Sequence, residues 1–219
     1  MLHVYALVRR PATLPDAVGI AGARLRVVQV TETLDAVASE TQAGGSAATE
    51  EAILAHARVV EQLAATAAAV LPMRFGGAVA DDDELRRRLA PREQELAAAL
   101  ERVSGCVELG LRVLAAQRDA APAASGREYM ERRLGEVSEA QRVGRELHHS
   151  LAAHARESTC RILAKPDVLL SAAYLVPRGD EEAFRAAVSA ADEARPELNL
   201  VCTGPWPPYS FVLVEAEAA

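Results

Sequence analysis

The chain is short of aromatic residues and nearly without lysine. Of its 219 residues 4% are aromatic and one is tryptophan, although half are apolar. The core therefore has to be built from Leu, Val and Ala, and an Ala-rich chain leans towards helix. Lys165 is the only lysine, so arginine carries nearly all the positive charge. Nor is there a positive excess: 24 basic against 31 acidic residues give a net charge of −7, which argues against a surface that tracks nucleic-acid phosphates. The runs Arg86-Arg87-Arg88 and Arg132-Arg133 are flanked by acids and read as solvated helix faces.

Cysteine is scarce as well. Cys106, Cys160 and Cys202 are far apart and odd in number, which fits a reducing compartment better than a disulfide framework. No apolar run approaches the roughly 20 residues a membrane helix needs. Apolar residues from Leu2 to Val8 come ahead of Arg9 and Arg10, the reverse of a signal peptide. The expectation is a soluble cytoplasmic protein that binds neither nucleic acid nor membrane.

Motifs of catalysis are missing too. There is no phosphate loop, no Gly-x-Ser-x-Gly, no dinucleotide fingerprint and no Cys/His pairing. Of His148, His149 and His154 only the last two approach one helical face, and no third ligand is in reach, so these read as solvated. Asp81-Asp82-Asp83 lacks the spaced ligands of a calcium loop and reads as a helix start. We therefore expect no catalytic residue, no metal and no cofactor, and expect that the protein is not an enzyme.

What is present is a regular alternation of strand and helix signals. Leu2 to Val8, Leu25 to Val30 and Leu34 to Ser39 read as strands of a small sheet. After Gly44-Gly45-Ser46, apolar residues at Ile53, Ala57, Val60, Ala64 and Ala67 mark a helix face from about Thr49, which Pro72 stops. Leu85, Leu89, Leu96 and Leu100 predict further helix, broken at Pro91 and ending before Gly105. Cys106 to Leu114 alternates as a strand, and Ala120 to Gly126 reads as a loop. Ser125 and Glu128 have capping-box spacing and open a long helix to about His154. Arg161 to Leu163 and Val168 to Val176 read as strands, Glu181 to Ala194 as a helix, and Leu198 to Cys202 as a last strand.

From Cys106 onward this order is β-α-β-β-α-β, the ferredoxin-like arrangement. The expected architecture is α+β in two domains. Residues 1–105 would form a small sheet with helices, and residues 106–219 a ferredoxin-like domain with long helices.

Three segments carry a family resemblance. Val70 to Gly76 (VLPMRFG) resembles the LPLRFG element of the gas vesicle proteins GvpF and GvpL, and follows a helix with a histidine, His56, as there. Gly126 to Arg133 (GREYMERR) is similar to their G-x-x-YL-x-x-R element. Thr203 to Val212 (TGPWPPYSFV) resembles their C-terminal TGPWPPYSF element. Tyr5-Ala6-Leu7 is similar to their YLYAI strand, so the elements occur in family order. The match departs at Met73, at Gly77 and in the Ala-rich stretch before Ser125, and does not separate the F type from the L type. The resemblance implies a two-domain α+β fold and a role in gas vesicle formation. It further implies contact with the small, apolar shell protein GvpA and with other accessory gas vesicle proteins, and a place at the gas vesicle.

Candidate partner-binding residues are Arg74, Phe75, Trp206 and Tyr209. Pro205, Pro207 and Pro208 stiffen the segment that presents Trp206 and Tyr209, whose broad apolar faces suit interface anchors. Trp206 also suits closing the core between the two domains. Pro72 and Gly76-Gly77 frame a turn that either offers Arg74 and Phe75 to a partner or buries Phe75 and pairs Arg74 internally. An exposed apolar patch is expected near the domain junction, on the helices between Ala52 and Leu71 or beside Trp206. The competing reading is a small-molecule-binding or enzymatic ferredoxin-like domain.

Overall fold

The computed structural model describes residues 1–42, 47–115, 125–162 and 168–212, with the side chains of Ala115, Glu128, Tyr129, Arg132, Arg133, Glu136 and Ala140 outside that description. The expected loop from Ala120 up to residue 124, the whole Gly44-Gly45-Ser46 break, the side chains of Arg132 and Arg133, and Leu163 therefore lie outside the described residues. The chain divides into two compact units: Met1–Cys106 with the described residues 206–212, and Val107–Pro205. Both are mixed helix and sheet.

In the first unit β1 (Leu2–Arg9), β2 (Leu25–Gln29) and β3 (Leu34–Glu40) form an antiparallel sheet in the order β2-β3-β1. The free side of β1 is shared by two short strands. β4 (Val70–Pro72) pairs with Ala6 to Val8, and β5 (Ala78–Val79) pairs with Leu2 and His3. β1 is thus central, and Leu2 to Val8 are all buried.

Helix α1 (Glu50–Thr66) starts at Thr49, whose hydroxyl accepts from the Ala52 amide at 3.2 Å, with Glu50 and Glu51 complementing the helix dipole. It buries Ala52, His56, Val59, Val60 and Leu63. This corrects the expected face: the buried stripe runs at 52/56/59/60/63, and Ile53, about 100° round from Ala52, points outward. The helix also ends five residues before Leu71, because the backbone of Val70–Pro72 is taken by the edge of β1.

Asp81 caps α2 (Asp82–Leu89) by accepting from the Glu84 amide at 2.8 Å, and a short 3-10 turn with Pro91 leads into α3 (Glu93–Val103). Leu85, Leu89, Leu96, Leu100 and Val103 face inward. Arg86 pairs with Asp83 at 2.8 Å and Arg88 with Glu84, and of the three arginines expected on a solvated face Arg87 is exposed while Arg86 and Arg88 are half-buried.

The second unit runs β6 (Cys106–Ala115), α4 (Gly126–Ala152), β7 (Glu157–Ile162), β8 (Val168–Pro177), α5 (Glu181–Glu193) and β9 (Leu198–Trp206). Its four-stranded sheet has the order β7-β8-β6-β9, which places the first strand of the β-α-β-β-α-β series between the third and the fourth. Strand β7 begins earlier than the expected Arg161, and β9 runs on to Trp206. The core joins Leu109, Leu111 and Val113 of β6, Val143, Leu147 and Leu151 of α4, Tyr174 of β8, and Phe184 and Val188 of α5. His148 is corrected from solvated to half-buried, its Nδ1 lying 3.1 Å from the Tyr174 hydroxyl.

Tyr5 shows how the central strand fixes its surroundings. Its hydroxyl accepts from the Ile20 amide at 2.8 Å and bonds the Ser39 hydroxyl at 2.9 Å, all buried. Removing it strands both partners away from water. Tyr5→Phe is expected to lower the stability of the chain by about 1–3 kcal/mol in urea unfolding, without changing the circular dichroism of the folded state.

Candidate functional site

Arg74 and Phe75 lie on the turn between β4 and β5. Gly76 has φ +97°, a left-handed conformation that favours glycine, and the Gly77 amide donates to the Arg74 carbonyl at 3.3 Å. The turn is tied to β1 at both ends: the Met73 amide donates to the Tyr5 carbonyl at 2.9 Å, and the Val4 amide to the Gly77 carbonyl at 3.1 Å. Arg74 is exposed and Phe75 half-buried.

Beneath Phe75 lies a pair of histidines that the sequence reading left unassigned. His3 of β1 and His56 of α1 are both buried, with His3 Nε2 and His56 Nδ1 2.8 Å apart. His56 Nε2 lies 2.9 Å from the Met73 carbonyl. A carbonyl only accepts, so His56 Nε2 carries the hydrogen, His56 Nδ1 accepts, and His3 Nε2–H donates to it. His3 Nδ1 is then the unprotonated atom, and it is buried without a partner. The Phe75 ring lies 5.6 Å from that of His3 and 5.8 Å from that of His56, and the Tyr5 ring stacks on His56 at 5.3 Å. Histidine periodicity alone does not reveal such a pair, since its members are 53 residues apart on different elements.

Trp206 stands 46% exposed at the end of β9. Tyr209, on the 3-10 turn Tyr209–Phe211, is half-buried against the cluster of Tyr5, Val8, Val59, Val60 and Leu63 that also receives Phe75. Burial, and secondarily Glu61, holds its hydroxyl well above the usual phenol range. The neighbouring Phe211 carbonyl accepts from the Arg102 guanidinium. Phe75 and Tyr209 thus anchor their segments, while Arg74 and Trp206 face outward.

An apolar groove of about 670 Å³ lies elsewhere on the first unit, between the 3-10 turn Ile20–Gly22 and the first turns of α1. Val18, Ala21, Leu54 and Ala55 line it, with Glu50, Glu51 and Arg58 among its polar residues. Val18 is 60% and Leu54 55% exposed, and the adjacent Ile53 is 43% exposed. The sequence reading pointed to the α1 stretch but not to Val18, which belongs to a segment without periodicity. Among the described residues no three His, Cys, Asp or Glu side chains are placed to hold a metal ion, and no helix is long and apolar enough to cross a membrane.

Burial lowers His3 to a pKa of about 4, with His56 adding to the effect, and burial likewise lowers His56. Both folded values lie below the ordinary value near 6.5, so the folded state binds fewer protons than the unfolded one. The stabilisation is complete above about pH 6.5 and falls away as the pH drops from there towards about 4. The urea midpoint of the wild type is expected to fall more steeply between pH 6.5 and 4.5 than that of the double variant His3→Leu/His56→Leu.

A sequence model of the family described as gas vesicle synthesis protein GvpL/GvpF matches residues 1–213. The chain is 35% identical over 191 residues to gas vesicle protein L of Streptomyces sp. (strain CB03234), covering 76% of this chain and 71% of that protein. It is 31% identical over 215 residues to gas vesicle protein F2 of Halobacterium salinarum, covering 96% and 91%. The fold is similar to the crystal structure of GvpF from Anabaena sp. PCC7120, with a TM-score of 0.82 at 19% identity over 100% of this chain and 98% of that one. The crystal structure of GvpF from Microcystis aeruginosa gives 0.79 at 19% identity over 97% and 99%.

Proposed function

The chain belongs to the GvpL/GvpF family of gas vesicle synthesis proteins and so takes part in gas vesicle formation, and we propose that it does this without catalysis, by binding the shell protein GvpA and other accessory gas vesicle proteins. It would act in the cytoplasm and at the vesicle, shielding apolar shell surface before polymerisation or nucleating that polymerisation.

The observation that carries this reading is the groove of Val18, Ala21, Leu54 and Ala55. Val18 and Leu54, both more than half exposed, line the same groove, and apolar side chains gathered in this way suit an interaction surface. Covering them by an apolar partner recovers roughly 25 cal/mol for each Å² removed from water. Glu50, Glu51 and Arg58 at the groove supply the polar rim typical of such contacts. Trp206 and Arg74 are outward-facing secondary contacts in this reading, and Phe75 and Tyr209 hold the segments that present them.

The test is a pull-down of purified GvpA with the wild type, Leu54→Asp and Trp206→Ala, each checked for folding by circular dichroism. The wild type is expected to retain GvpA, Leu54→Asp to weaken retention at least about tenfold, and Trp206→Ala to weaken it less. Undiminished retention by a folded Leu54→Asp removes the groove from the contact. No retention by the wild type removes GvpA as the partner.

A further inference from the structure

The two outer strands of the second unit's sheet are finished in different ways. On β9 the unit's own helix α5 reaches the backbone: Asp192 accepts from the Leu200 amide at 2.8 Å, and Arg185 donates to the Gly204 carbonyl at 2.7 Å. Pro205 follows, with no amide hydrogen to offer. On β7 residues 157–162 all pair with β8 on one side. Among the described residues no side chain reaches the backbone of Ser158 to Ile162 on the other. A row of unpaired amides and carbonyls invites another strand, and proteins manage such rows by placing charges on them.

The charges on β7 have a particular order. Cys160 and Ile162 pack towards the core. Glu157, Thr159 and Arg161 alternate with them onto the opposite face, and Thr159 and Arg161 are exposed. Acid, β-branched residue and base therefore stand at successive positions of one face. This row is complementary to itself when reversed. With Thr159 opposite Thr159 of a second copy, Glu157 of each lies opposite Arg161 of the other, because both are two residues from the centre. Moving the centre to Ser158 or Cys160 loses both charge pairs, and a shift of one residue in the pairing turns the second copy's core face over.

We propose that β7 is a self-association edge, on which a second copy of this chain docks antiparallel about Thr159 and joins the two four-stranded sheets edge to edge. Opposite charges and a threonine pair set directly across from each other stabilise strand pairing, whereas like charges so placed destabilise it. The contact is isologous, so each copy supplies the same edge and the assembly closes at two. The charges that deter unrelated strands thus select this one.

Sedimentation velocity of the full chain over a range of concentrations tests this. The wild type is expected to show a reversible dimer, and Arg161→Glu, which sets Glu against Glu157 at both positions, to weaken it at least about tenfold. Glu157→Arg is expected to do the same, and the double variant Glu157→Arg/Arg161→Glu to restore association. Thr159→Cys provides a reading that does not depend on the charges. Opposed Cα atoms in an antiparallel pair are about 4.5–5.5 Å apart, within disulfide reach, so mild oxidation should cross-link this variant and not the wild type with its native Cys160. A chain that remains monomeric and does not cross-link through position 159 overturns the proposal. So does a dimer indifferent to both the single reversals and the double exchange.

Discussion

A strand buried on both faces tolerates polar side chains only where each polar head finds a partner, and β1 carries two of them, His3 and Tyr5. Their demands organise the first unit. His3 is met by His56, which requires α1 to cross the sheet at that height, and His56 in turn is met by the Met73 carbonyl, which brings the turn after β4 beneath its ring. Tyr5 is met by the Ile20 amide and by Ser39 of β3. Four chain segments far apart in sequence are thus placed by two residues of one strand. The aromatic and imidazole rings then pack edge to face, tilted or stacked at 4.8–5.8 Å, replacing the larger aromatics that this composition lacks.

Much of the second unit was legible because its elements are long enough to show their period. The alternation of Val107, Leu109, Leu111 and Val113 and the Phe184/Val188 pair fall on buried positions, and the β-α-β-β-α-β order follows from counting elements. The first unit resisted at its short pieces. β4 and β5 are three and two residues long, too short for any periodicity, and their pairing is decided by the free side of β1 rather than by their own residues. The observed face of α1 differs from the expected one because alanines score as apolar at every angle round the helix, so that pattern alone puts Ile53 on the inner side. His56, the most constrained residue of that helix, was visible only as part of a motif. Its role lies in a hydrogen bond to a distant strand, which no local pattern encodes. Of the candidate contacts, Arg74 and Trp206 are exposed and Phe75 and Tyr209 are half-buried, a division that depends on tertiary packing.

The arginine-rich, lysine-poor charge set also takes its meaning from geometry. Exposed ion pairs contribute little to stability, yet several here are placed where backbone would otherwise be open. Along β2, the outer strand of the first sheet, Arg86 donates to the Gln29 carbonyl at 3.0 Å, and Arg26 forms a two-point pair with Asp82 of α2. At β1, Arg10 lies 3.2 Å from the buried Asp35, whose other oxygen accepts from the Ala12 amide. A planar guanidinium with several donors can serve a carbonyl and a carboxylate together, which a lysine ammonium does less well. The preference for arginine therefore fits a chain in which arginine reaches the backbone of the outer strands β2 and β9.

The groove and the buried network are parts of one construction. One wall of the groove is the segment Val18 to Gly22, and its position is set from below, since the Tyr5 hydroxyl holds the Ile20 amide. The approach is so close at Gly19 that a Cβ there would lie 2.4 Å from the Tyr5 oxygen. Ala21 accepts φ +54°, a left-handed conformation unfavourable to a residue with a Cβ, which persists only where the surroundings enforce it. The other wall, the first turn of α1, is fixed by its Thr49 cap. Both walls are therefore ordered before any partner arrives, and a surface already ordered loses less conformational freedom on binding than one that must be assembled. A partner that covers this groove, as proposed, would therefore meet a surface already in place, and the polar hub on β1 is what keeps that surface in shape.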